Sequence, residues 1–184
     1  VIGESKSPSV KEIARITNKR SDNFYAESLI RELSRVRTGS ACYDSCKVVI
    51  LRELDSLGIS TETGIRMVDG SGLTRHNYIA PDFFCRFLKA MAASGAGKTF
   101  ISVINYAGND GMKSRLKGQA DALRHRVHMK SGSMNGVVCY SGYILPPLGK
   151  IEDTVIFSIM TNNIPAQTSA VTRFIDRLIV LLAE

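Results

Sequence analysis

Two short runs carry residue types that can do chemistry: Ser21-Asp22-Asn23, and Lys130-Ser131-Gly132 followed by Ser133. Between them they offer hydroxyls, a carboxamide and an ammonium group. Taken singly, neither says much. Ser21 also reads as a helix cap, and Lys130 as a solvated lysine near the end of a strand. A third run, "AMAASGAGKTF" from Ala90 to Phe100, ends in Gly-Lys-Thr. It invites comparison with the phosphate-cradling pattern G-x-x-x-x-G-K-[ST]. Such a loop follows a buried strand and opens a helix. Here the first glycine is replaced by Ala92, an amphipathic helix precedes, and "FISVINYAG" after it reads as extended or loop. The run is therefore predicted to be a flexible helix exit, with no nucleotide bound.

Composition narrows the rest. The chain has 184 residues, 44% of them hydrophobic and 22% charged, which suits one domain with a sizeable core. No apolar run is long enough to span a bilayer; "FIDRLIVLLAE" is interrupted by Asp176 and Arg177. The net charge of +7 is scattered. "NKRSDN" and "RHRVHMK" are short and lack interleaved aromatics, so nucleic acid is not expected as a partner. Four cysteines form no C-x-x-C, and Cys42 and Cys46, four apart on a predicted helix, suit a disulfide poorly. Three histidines add no metal-ligand spacing, so neither metal nor cofactor is expected.

The elements that must hold these residues read as helices first. Ser7-Pro8 opens a helix that ends near Asn18. A second starts past Ser21, with Tyr25, Leu29, Leu33 and Val36 at helical spacing, and Thr38-Gly39-Ser40 breaks it. A third covers about 41–57, with Val48, Leu51 and Leu54 inward and Gly58 beyond it. Pro81 opens a fourth, and residues 95–124 read as irregular. Then "RHRVHMK", "GVVCYSGYIL" and "DTVIFSIMTN" read as consecutive antiparallel strands, the last two joined by the turn "PPLGKIE". Pro165 opens a final helix. The fold class is α/β in the α+β sense, and no linker splits residues 1–184.

In this order and on these elements the two motifs mean more. S-D-N and K-T-G are two of three signatures of penicillin-recognising serine acyl-transferases, the third being S-x-x-K. "SPSVKEIARITNKRSDNFYAESLIREL", "MVDGSGLTRHNYIAP", "NDGMKSRLKG" and "RVHMKSGSMNGVVCYSGYI" resemble the C-terminal part of the D-alanyl-D-alanine carboxypeptidase/endopeptidases, the class C low-molecular-mass penicillin-binding proteins. The resemblance implies a partial β-lactamase/transpeptidase-like fold. It also implies action on peptidoglycan stem peptides ending in D-Ala-D-Ala, and β-lactams as ligands. By resemblance, Ser21 relays a proton toward the leaving amine and Asn23 holds the substrate backbone. Lys130 and Ser131, where the family usually has Thr, bind the terminal carboxylate. Gly132 lets the strand approach the ligand, and the Ser133 N–H is an oxyanion donor. Asp69-Gly70-Ser71-Gly72-Leu73 also matches and reads as a structural turn. The family works in the cell envelope, usually the bacterial periplasm.

The nucleophile motif is not where the family has it. The only S-x-x-K, Ser114-Arg115-Leu116-Lys117, follows S-D-N instead of preceding it and reads as coincidence. The 184 residues therefore read as the C-terminal portion of the catalytic domain, inactive alone. They are expected to pair with the missing N-terminal segment, to self-associate, or to belong to a longer chain. Two other readings are a non-catalytic module that keeps the pocket, and a class A-like β-lactamase. No glutamate stands in an E-x-x-L-N context to favour the latter.

Overall fold

The computed structural model describes residues 3–109, 111–148, 151–165 and 167–184. Its first helix, α1, spans Val10–Arg20. Its start is at Ser9, not Ser7: the Ser9 hydroxyl accepts from the Glu12 N–H while the Glu12 carboxylate accepts from the Ser9 N–H. That reciprocal box satisfies two orphan donors, which Ser7-Pro8 does not. Helix α2 spans Asn23–Thr38 and α3 spans Tyr43–Ser56. The inward faces match the prediction at Leu54 and depart from it elsewhere. On α2 they are Ile30 and Ser34, whereas Tyr25 and Val36 are exposed; on α3 they are Cys46, Val49 and Leu54, whereas Val48 is exposed. The two helices pack on each other, so only the sides that meet are covered, and periodicity alone does not single out that side. The Ser34 hydroxyl donates to the Ser40 carbonyl, which explains a polar residue in the contact. All four cysteines are free thiols.

A two-stranded ribbon, β1 (Ile65–Arg66) with β2 (Tyr78–Ile79), was not foreseen. It closes the "MVDGSGLTRHN" loop. There Asp69 accepts from the N–H groups of Gly72 and Thr74 and from the Asn77 amide, as a structural turn should. Helix α4 spans Pro81–Ala93, opened by its proline. Three residues further on, Gly97–Val103 form helix α5, within the stretch read as irregular and overlapping the start of "FISVINYAG", which reads as extended or loop. A Cβ on Gly97 would lie 2.9 Å from the Ala92 carbonyl carbon, so the glycine serves the tight passage between two helices. The Gly-Lys-Thr run is thus the first turn of α5 and not a flexible helix exit, and the element before it is helix α4, not a strand. A short α6, Asp121–Arg126, takes in the end of the stretch read as irregular and the first residues of "RHRVHMK", a run that reads as strand.

The sheet has the expected order, β3 (Val127–Met134), β4 (Val137–Ile144) and β5 (Val155–Thr161), antiparallel, but β3 starts three residues later than "RHRVHMK" and runs on to Met134. A two-residue loop, Asn135-Gly136, joins the first pair, with Gly136 at φ 76°. Of the turn predicted between β4 and β5, Gly149 and Lys150 lie outside the described residues. Helix α7 starts at Thr168, three residues past Pro165, and ends at Ala183.

The sheet is covered on both faces. Val127, Met129, Val138, Tyr140 and Phe157 meet Ile175 and Ile179 of α7. Each such fully buried side chain contributes roughly 1.5–3 kcal/mol, so these two isoleucines hold α7 in place. On the other face Tyr143 meets Leu88 of α4 and Ile101 of α5, and its hydroxyl donates to the Leu88 carbonyl (2.7 Å). Arg115, 4% exposed, pairs with Asp176 of α7 at 2.6 Å and donates to the Tyr140 hydroxyl. Burial raises the Asp176 carboxyl above its ordinary value, against the pull of Arg115.

Candidate active site

Strand β3 is an edge strand, but only half of its outer edge is bare. Residues 104–107 run alongside its first half: Met129 N–H donates to the Asn105 carbonyl (2.8 Å), Ala107 N–H donates to the Val127 carbonyl (2.9 Å), and Tyr106 bridges His128. This pairing stops before Lys130. Backbone groups alternate sides along a strand. The N–H groups of Ser131 and Ser133 therefore face the same side as that of Met129, where no described residue pairs with them. The Lys130-Ser131-Gly132-Ser133 run lies mid-strand, not at the strand end as predicted, at the point where the edge opens.

Opposite that opening is the corner between α1 and α2. Ser21 is not the cap of α2; it is the C-cap of α1, in the left-handed region at φ 51°, and Asp22 caps α2 by accepting from the Tyr25 N–H. A left-handed residue turns the chain out of a helix at once. That sharp exit points the Ser21 hydroxyl at β3, where it accepts from Lys130 Nζ at 2.7 Å, across 109 positions of sequence. Lys130 also donates to the Ser131 carbonyl (2.7 Å). Burial of the ammonium holds its pKa below the ordinary lysine value.

Ser21, Lys130, Ser131, Gly132 and Ser133 thus border one opening. Gly132 and Ser133 are exposed, and a Cβ on Gly132 would meet nothing within 4 Å. The space beside the strand is open, as a ligand laid along it requires. Asn23 is exposed in the first turn of α2. Ser131 shares its side of the sheet with Val127 and Met129, opposite Lys130, and is half-buried. The arrangement can hold an anion and an extended backbone, and Ser21 and Lys130 are in contact for proton transfer. Ser114 and Lys117 are both exposed in a turn, with Leu116 between them at φ 51°. They do not share a helix face, which agrees with coincidence. Among the described residues no group of three or more His, Cys, Asp or Glu could hold a metal.

What the motifs did not disclose is the bracing behind them. Asn18 donates to the Val103 carbonyl (3.0 Å), and Asn105 donates back to the Asn18 carbonyl (2.8 Å). Asparagines have no pattern that marks them, and only the folded chain brings these two together.

A left-handed serine has a testable cost. Ser21→Gly and Ser21→Ala both lose the hydroxyl, but only glycine is at ease at φ 51°. The glycine variant is expected to be more stable than the alanine variant by about 1 kcal/mol, read from paired thermal or urea melts.

The profile of the D-Ala-D-Ala carboxypeptidase 3 (S13) family matches residues 1–184. A penicillin-sensitive carboxypeptidase A from Dictyostelium discoideum is 31% identical over 189 residues, covering 97% of this chain and 35% of the relative. A D-alanyl-D-alanine carboxypeptidase from Actinomadura sp. (strain R39) is 28% identical over 190 residues, covering 100% and 34%. The chain therefore spans about a third of the length of the curated relatives it matches. Penicillin binding protein 4 of Haemophilus influenzae has a similar fold, with TM-score 0.83 at 24% identity over 94% of this chain and 39% of that one. A β-lactamase from Sphaerobacter thermophilus gives 0.60 at 21% identity over 99% and 65%.

Proposed function

The chain belongs to the D-Ala-D-Ala carboxypeptidase 3 (S13) family, and on that premise we propose that it forms part of a serine-type D-Ala-D-Ala carboxypeptidase/endopeptidase. The substrate is a peptidoglycan stem peptide, and β-lactams react at the same site. The observation that carries this reading is the Lys130 Nζ to Ser21 Oγ contact at the open half of β3. In this reading Lys130, with the Ser131 hydroxyl, holds the terminal carboxylate of D-Ala-D-Ala, and Asn23 holds the substrate backbone. The Ser133 N–H faces the oxygen that becomes negative when the carbonyl is attacked. The proton given up by the attacking serine is relayed through Ser21, which Lys130 hydrogen-bonds, to the departing D-Ala amine, so the C–N bond breaks and the acyl group is left as an ester on that serine. Water then releases it.

The attacking serine belongs to an S-x-x-K outside these 184 residues, so this portion alone is inactive. It pairs with that segment in a longer polypeptide, one exported to the bacterial cell envelope or periplasm. The relatives' greater length supports this. The test is intact mass after incubation with a reactive penicillin, for the 184-residue chain and for the complete gene product. One covalent adduct on the complete protein, at the serine of an upstream S-x-x-K, and none on the 184 residues is the expected result. A stoichiometric adduct on Ser114 would overturn the division of labour. No adduct on either would favour a non-catalytic wall-binding module.

A further inference from the structure

Ser21 and Lys130 sit on different elements, α1 and β3, that share no strand pairing and no helix packing of their own. Something must fix the distance between them, because a shift of about 1 Å in a hydrogen-bonded pair is enough to weaken it severely. The corner of α1 is tied by side-chain hydrogen bonds to Val103 and Asn105. Asn105 is the joint. Its side chain, in a residue 6% exposed, donates to the Asn18 carbonyl at 2.8 Å. That same carbonyl accepts the Ser21 N–H at 3.4 Å, closing the left-handed turn. Its backbone carbonyl accepts the Met129 N–H at 2.8 Å, one residue before Lys130. One residue therefore grips the α1 exit with its side chain and β3 with its main chain. Asn18 reciprocates through Val103, and Asn109 donates to the Asn105 side-chain oxygen at 3.3 Å. There is little slack: a Cβ on Gly111 would come 2.8 Å from the Asn105 amide carbon.

We propose that Asn105 is a positioning residue, which sets the Ser21 hydroxyl against the Lys130 ammonium without touching substrate itself. This rests on the reading that Ser21 and Lys130 form the site. Asn105 keeps its carbonyl bond to β3 in any variant, and an aspartate there still offers an acceptor to Asn109, so the bond that Asn105→Asp removes is the grip on α1. Asn105→Asp keeps the size and the acceptors but loses the donor to Asn18; Asn105→Ser is a gentler change should the first fail to fold.

The readout is the Lys130 side-chain ammonium signal in ¹⁵N NMR of the 184-residue chain, which a hydrogen-bonded, half-buried ammonium shows and a freely solvated one loses to exchange. Ile179→Val, in the core under α7, serves as the control for a comparable fall in Tm. Loss of the Lys130 signal in the Asn105 variants, with the signal intact in Ile179→Val, is the expected result. Persistence of the signal in folded Asn105→Asp and Asn105→Ser overturns the inference and leaves the functional reading standing. A signal that is equally strong in Ser21→Ala and in wild type overturns the pair itself, and both readings fall together.

Discussion

Lys130→Met in the complete protein is expected to lower the second-order rate of penicillin acylation by about 10²–10³-fold, the scale seen when one preorganised charge-stabilising contact is removed. The Tm is expected to be no lower than that of wild type. The two halves of this result follow from one fact: the ammonium is held half-buried beside the Ser21 hydroxyl and the Ser131 carbonyl. Burial depresses its pKa, which means the folded state accommodates the charge less well than water does. The sign follows from proton counting. With the native pKa below the unfolded value, the unfolded chain binds more protons within the window between them. Stability therefore rises as pH climbs from the depressed native value toward the ordinary lysine value, and below that window the cost is constant. Methionine removes the charge, and with it both the cost and this alkaline gain. A Lys130→Met protein that melts as wild type but acylates poorly would locate the lysine's role in the chemistry. A Tm that falls with the activity would make Lys130 a structural residue and sink the assignment. Arginine is not expected to rescue, since its planar fork cannot occupy the position of a compact ammonium between two oxygens.

How much of this was legible beforehand depends on whether the signal was local. The strands β4 and β5 announce themselves by β-branched and aromatic runs, β3 only by a weak alternation, and Pro81 fixes the start of α4 because its ring suits the first helical position. The start of α1 was misplaced by two residues because two serines compete there, and the winner is the one with a glutamate three residues on. The faces of α2 and α3 were rotated because their apolar residues run around more than one side. Choosing among these requires knowing the neighbour. Helix α5 was missed because Ile101 and Val103 are β-branched; burial of both, Ile101 against Leu88 and Tyr143, overrides that propensity. The site divides in the same way. Ser21 and Lys130 could be named from motif and resemblance, but their contact and the Asn18–Asn105 brace join residues more than 80 positions apart, and the half-open edge of β3 depends on the pairing of Asn105 and Ala107 with Met129 and Val127. No local pattern encodes those.

The largest expected loss of stability from a single methyl group is at Gly142. It stands opposite Met129 in the β3–β4 register, at 0% exposure for Met129 itself. A Cβ there would strike the His128 carbonyl oxygen and lie 2.7 Å from the Met129 Cα. These are backbone atoms of a paired strand, which cannot rotate aside as a side chain can. Gly142→Ala must therefore push β3 away from β4 or abandon part of the ladder, and a cost of about 3 kcal/mol or more is expected, at the top of the overpacking range. Gly132→Ala, ten residues earlier on the neighbouring strand, makes the contrast. Its Cβ would enter open space, so urea melts should place it within about 1 kcal/mol of wild type, the usual glycine-to-alanine scale. Yet it fills the space beside the open edge, where the proposed ligand lies, and acylation should fall. One glycine is thus required by the fold and the other by the ligand. Equal melting behaviour for the two variants would refute the strand spacing, while an unhindered acylation rate in Gly132→Ala would mean that the ligand does not lie along β3.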